Sequence, residues 1–218
     1  MATMVSGAAL KTIASTAVNS QIRGYKERRA EAKSQVDWED YNYPPYLRVL
    51  HYNLDDVEDV NARFAVRIAH LSYLMACSTF CVNCFGTFVL ACGGLKLKGV
   101  HLIYAIFNLI IYSIVGMYAF YKAYKGLATK NGRLTDYYLG LQVLFIIFFF
   151  IASIVGGANY YGWTNVKRAS ESDKLSGFWV FWTFFESILW TIDYLVGGWA
   201  LYLVAKNKTD KIGGLLGF

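Results

Sequence analysis

Four stretches of this chain are too long and too continuously apolar to be one face of a water-soluble fold. They lie at about residues 71–92, 99–121, 137–161 and 178–205, and the third contains the run VLFIIFFFIASIV at 143–155. A soluble surface helix keeps a polar face and an apolar stripe. Here each stretch reaches the roughly 20 apolar residues that carry a helix across a bilayer. Hydrocarbon offers no partner for an exposed N–H or C=O, so isolated apolar runs of this length read as helices rather than open strands. Charged residues make up 17% of the chain, well under the usual quarter of a soluble domain. The expected fold class is an all-α integral membrane protein, a four-transmembrane-helix bundle with a polar N-terminal arm.

The connections limit what else the chain can hold. GGLKLK separates the first two runs, and about 15 residues separate each later pair, too few for an extra domain. Residues 1–42 read as a basic arm, 43–205 as the membrane domain and 206–218 as a short tail. Sixteen of the 21 Lys and Arg residues fall on the side holding both ends and the 122–136 connection; Lys96, Lys98, Lys167, Arg168 and Lys174 make five on the other. Basic loops stay on the cytoplasmic side. Both termini and the 122–136 connection are therefore expected in the cytosol.

That connection starts with a dense aromatic and basic pattern, MYAFYKAYKGLATKNGR at 117–133. Tyr118, Tyr121 and Tyr124 recur every three residues at the end of an apolar run, suited to the headgroup layer. Lys122, Lys125, Lys130 and Arg133 would face anionic lipid, each contributing about 1 kcal/mol near an acidic leaflet. These seven residues are the candidate lipid-binding set. The basic excess, net +6, thus points to membrane lipid as the partner, with no nucleic-acid signature in the chain.

Catalytic and metal patterns are absent from the sequence. Cys77, Cys81, Cys84 and Cys92 all lie in the first apolar run, unlike a secreted disulfide framework, and read as small residues in helix packing. His51, His70 and His101 are scattered, with the last two on opposite sides of the expected bilayer. The acidic run at 55–59 lacks the glycine and spacing of a calcium loop. Neither an enzyme nor a cofactor-binding or metal-binding protein is expected.

The sharpest anomaly is FFESILWTIDYL, which places Glu186 and Asp193 inside the fourth apolar run. Seven residues make two turns with a drift of about 20°, so both carboxylates share a face, roughly 10.5 Å apart along the axis. Acids at that depth are normally paired, hydrogen-bonded or functional. Asn83, Asn108, Ser113, Gln142 and Ser153 are candidate partners within the bundle, and no basic residue occupies the middle of another run. Contact with a partner helix, or a proton or cation path, stays open.

Taken in order, YNYPPYLRVLHYNLDDVED at 41–59, RIAHLSYLMACSTFCVNCFG at 67–86 and FYKAYKG at 120–126 resemble the secretory carrier-associated membrane proteins, the SCAMPs. The resemblance rests on Tyr43-Pro44-Pro45, Tyr73-Leu74, Asn83-Cys84-Phe85-Gly86, Tyr121-Lys122-Ala123-Tyr124 and Gly162-Trp163. There are no Asn-Pro-Phe repeats. It implies a four-span core over about 43–207, with cytosolic termini, in secretory or endocytic vesicles, the Golgi or the plasma membrane. It also implies vesicle traffic and exocytosis, with phosphoinositides contacted by the segment between the second and third spans. A synaptogyrin-type tetraspan is the alternative relative. An accessory subunit of a larger membrane complex, a homo-oligomer, and a small ion- or proton-coupled carrier using Glu186 and Asp193 are the alternative functions.

Overall fold

A computed structural model describes residues 36–157 and 159–208. Most of the basic arm, 1–35, and the tail at 209–218 lie outside the described residues. Residues up to Tyr52 and residues from Asn53 onward form two separate compact units.

In the first unit the Pro44–Pro45 turn folds the chain back on itself. Tyr43 and Leu50 form an antiparallel bridge, with their backbone N–H and C=O groups exchanged at 2.9–3.0 Å. Trp38 packs edge-on against His51 at 5.6 Å, and Tyr43 against Tyr52 at 5.5 Å.

The second unit consists of helices joined by turns. Helix α1 spans Val60–Cys92, α2 Lys98–Ala128, α3 Gly132–Ile154, the short α4 Val166–Ser170 and α5 Ser176–Lys206. Asp59 starts α1 by accepting the Ala62 N–H at 2.8 Å, and Asn131 starts α3 by accepting that of Arg133 at 3.1 Å. Both are ordinary N-caps. Helices α1, α2, α3 and α5 are long and apolar enough to cross a membrane. They pack in a ring in which α1 touches α2 and α5, and α3 touches α2 and α5.

The polarity of the bundle is reversed relative to a soluble protein. Ile103, Phe107, Ile110, Ile111 and Ile114 of α2 and Leu144, Ile147, Phe150 and Ile151 of α3 are exposed. Ser72, Thr79, Asn83, Thr87, Gln142, Thr183, Glu186, Ser187 and Asp193 are buried. An apolar exterior this large needs lipid around it, and helix association in lipid relies on packing and inter-helix hydrogen bonds instead of hydrophobic burial. Between the polar groups lies an aromatic core of Phe80, Tyr112, Phe149 and Trp190, flanked by Phe148 and Tyr160. Phe80 meets Tyr112 at 4.9 Å and Trp190 edge-on at 5.0 Å.

The helices outrun the apolar stretches at one end and fall short at another. Helix α1 begins eleven residues before 71 because Asp59 caps it there. Helix α2 runs seven residues past 121, so only 129–131 connect it to α3. The 122–136 stretch is therefore two helix ends and a turn, not a loop. That turn is tight: a Cβ on Gly126 would lie 2.6 Å from Thr135 Oγ1 and 2.8 Å from its backbone nitrogen. Helix α3 stops at Ile154, where Thr164 Oγ1 donates to the Ile154 carbonyl at 2.8 Å and accepts from Gly156 N–H at 3.1 Å. Beyond it, Asn159, Tyr160 and Tyr161 pack back against the bundle.

Candidate functional site

Two constellations stand out, the α2–α3 turn and a buried network around Glu186. At the turn, Lys122 Nζ lies 4.6 Å from the ring centre of Tyr118 and Lys125 Nζ 5.6 Å from that of Tyr121. These are i, i+4 pairs along one helix face with the geometry of cation–π contacts. Tyr118 and Arg133 are exposed, and Tyr121, Lys122 and Lys125 half-buried. Lys130, exposed, pairs with Glu58 Oε2 at 3.1 Å.

Tyr124 departs from the expected headgroup position. It is fully buried, because Gly116, Phe120, Ala123, Tyr124 and Leu127 form the inward face of α2. Its hydroxyl donates to the Asp56 carboxylate and accepts the Asn53 N–H at 3.1 Å, tying the segment before α1 to the end of α2. Changing Tyr124→Phe removes both bonds. It is expected to lower stability by about 1–3 kcal/mol, read as a lower melting temperature of the full chain in detergent.

Glu186 is completely buried. Its Oε1 accepts three hydrogen bonds, from Asn83 Nδ2 at 2.8 Å, Trp190 Nε1 at 3.0 Å and the backbone N–H of Tyr161 at 3.1 Å. Asn83 Nδ2 also donates to the Asn159 carbonyl. On the next residue of the helix, Ser187 Oγ lies 2.8 Å from the Tyr161 carbonyl oxygen and 2.6 Å from that of Thr183. At the other end of Tyr161, its hydroxyl lies 3.1 Å from Thr87 Oγ1 and accepts from Lys98 Nζ at 3.0 Å. The Lys98 ammonium sits 4.4 Å from the Tyr161 ring centre and 4.7 Å from that of Trp179.

Tyr161 is thus gripped by α1, α2 and α5, and an acid and a base of opposite helices meet through it. Irregular backbone is tolerated at membrane depth only where protein satisfies it, which Glu186, Ser187 and Asn83 do here. Of the five partners that the sequence offered, Asn83 alone reaches Glu186. Asn108 donates instead to Tyr160 Oη at 2.7 Å. Gln142 Nε2 reaches the Gly197 carbonyl at 3.2 Å and Ser72 Oγ at 3.4 Å. Ser113 and Ser153 turn back on their own helices. Lys98 opens α2, at the end of an apolar run, where spacing alone does not connect it to α5. Trp190 was legible as the i+4 neighbour of Glu186.

Asp193 lies on the same face of α5 and is 2% exposed. Among the described residues neither of its carboxylate oxygens has a hydrogen-bond partner of ordinary geometry. Thr79 lies beside it, but its hydroxyl donates to the Met75 carbonyl at 3.2 Å. Both acids point into this chain's own bundle, so neither offers its carboxylate to a helix outside it. Cys77 and Cys84 are half-buried, Cys81 and Cys92 exposed, and all four are free thiols. Among the described residues no three His, Cys, Asp or Glu side chains gather as metal ligands would.

Neither a curated protein nor a solved structure matches the chain. A family model described as the SCAMP family matches residues 40–210. That match takes in the four membrane helices, the α2–α3 turn and the whole Glu186 network, and the chain belongs to the SCAMP family, as an integral multi-pass membrane protein.

Proposed function

We propose that the protein acts in vesicle traffic between secretory and endocytic membranes, with both termini in the cytosol and the α2–α3 turn contacting anionic lipid, phosphoinositides included. It does no covalent chemistry in this reading. Family membership supports the traffic role, and the excess of basic residues at the termini and turn supports the orientation.

The observation that carries the lipid contact is the placement of the cations. Lys122 and Lys125 sit on the last turns of α2, Arg133 on the first turn of α3, and Lys130 in the three-residue turn that joins them. Little conformational freedom is then lost when a headgroup orders them. Tyr118, Tyr121, Lys122 and Lys125 form the aromatic-basic stripe on α2, and Arg133 opens α3. Tyr124 supports the stripe from inside.

The test is binding of a water-soluble, short-chain phosphatidylinositol bisphosphate to the full chain in neutral detergent, read by native mass spectrometry. The double variant Lys125→Gln, Arg133→Gln loses two cations worth about 1 kcal/mol each and is expected to bind about thirtyfold more weakly. Equal affinity of the variant and the parent would refute the lipid contact.

A further inference from the structure

Among the four cations, Lys130 is paired with an acid of the segment before α1. Glu58 Oε2 sits 3.1 Å from Lys130 Nζ, and the segment bearing it is fixed on both sides. Upstream, Asn53 and Asp56 are bound to Tyr124 Oη. Downstream, the Arg63 guanidinium donates to the Val57 carbonyl at 3.0 and 3.2 Å and lies 3.8 Å from Asp55. Asp59 is committed to capping α1. The acidic run is therefore held in place from both ends. It is a short strap, and its Glu58 lands on the basic site.

We propose that Glu58 is a built-in competitor for the anionic headgroup, so that lipid must displace it from Lys130 to engage all four cations. This rests on the lipid-contact reading and adds to it how the site is held back. An exposed ion pair is worth about 1 kcal/mol or less, so the strap tunes affinity and does not block binding. The anchor points keep Glu58 close to Lys130 after displacement, which gives the pair a high effective concentration and makes release reversible. A headgroup carrying several phosphomonoesters, each with about 1.5 to 2 negative charges at neutral pH, meets the freed Lys130 and the other three cations together. A singly charged headgroup gains at Lys130 only what breaking the Glu58 pair removes.

A double-mutant cycle with Glu58→Gln and Lys130→Gln tests this, using the same short-chain bisphosphate and the full chain in detergent. Glu58→Gln is expected to tighten binding up to about fivefold, the equivalent of one basic residue near an acidic surface. In the Lys130→Gln background the same change is expected to gain much less, because the Lys130 cation that Glu58 occupies is gone. An Glu58→Gln variant that binds no tighter than the parent would overturn the proposal while leaving the lipid contact standing. So would a gain that persists undiminished without Lys130, since that reports the general field of an acid and not competition at one site. Failure of the parent and of Glu58→Gln alike to bind would instead remove the lipid contact itself, and the strap's role with it.

Discussion

Glu186→Ala is expected to destabilise the full chain by about 3–6 kcal/mol. One oxygen, Oε1, accepts from Asn83, Trp190 and the Tyr161 backbone, and alanine leaves all three donors without it in a completely buried place. Each stranded donor costs about 1–3 kcal/mol. Asn83 keeps its bond to the Asn159 carbonyl, which holds the total below the sum of three full losses. Glu186→Gln separates shape from charge. It keeps an acceptor at the Oε1 position, and its amide nitrogen goes where Oε2 now has no partner. That variant should stay within about 1 kcal/mol of the parent. Melting of the three proteins in the same detergent, followed by size-exclusion chromatography, checks the ordering. Were alanine as stable as the parent, Glu186 would not be holding the 155–162 segment. Were glutamine as unstable as alanine, the ionised charge, through Lys98, would matter more than the hydrogen bonds.

The second large effect is expected at Gly162, next to Tyr161. Its φ of −78° suits any residue, so conformational freedom is not the reason for glycine. Space is. A Cβ there would lie 2.6 Å from the Ile154 carbonyl carbon, 2.7 Å from Ala152 O and 2.8 Å from Ile154 O, all backbone atoms at the end of α3. The segment would have to lift off that helix end, and Tyr161 would move with it. Overpacking costs about 1–3 kcal/mol by itself, and disturbed bonds to Glu186 and Ser187 add to it. Gly162→Ala is therefore expected to cost about 3 kcal/mol. Gly198→Ala is the control, because a Cβ at Gly198 meets nothing and alanine is favoured over glycine inside a helix by up to about 1 kcal/mol. Equal melting temperatures for the two variants would show that the 155–162 segment is not seated against α3.

The four membrane helices were legible because apolar length depends on the bilayer and not on the partner of each residue. Their ends were not. Apolar runs mark what lies in hydrocarbon, whereas Asp59 and Asn131 mark where helices start, and those caps are single polar residues outside the runs. Tyr160 and Tyr161 read as the tail of a span because tyrosine is compatible with a membrane interface. Only the fold shows that the backbone there has left the helix. Spacing put Glu186 and Asp193 on one face, and periodicity is enough for that. It could not say which helix they meet, nor that Glu186 finds three donors on one oxygen while Asp193 finds none among the described residues. Tyr124 shows the same limit: the i, i+3, i+6 spacing groups it with Tyr118 and Tyr121, but a 3.6-residue turn carries the third member round to the inner face.

The grip on Tyr161 also bears on how the chain is made. Its backbone N–H and C=O are satisfied by Glu186 and Ser187, which are translated about 25 residues after it. When α1, α2 and α3 have entered the membrane and α5 has not, those two groups have no partner from the final fold, and hydrocarbon supplies none. Pairing of the Tyr161 backbone therefore depends on α5, the last helix to be made. A chain interrupted before α5 would leave these two groups unmatched, so an unfinished molecule differs chemically from a finished one at Tyr161.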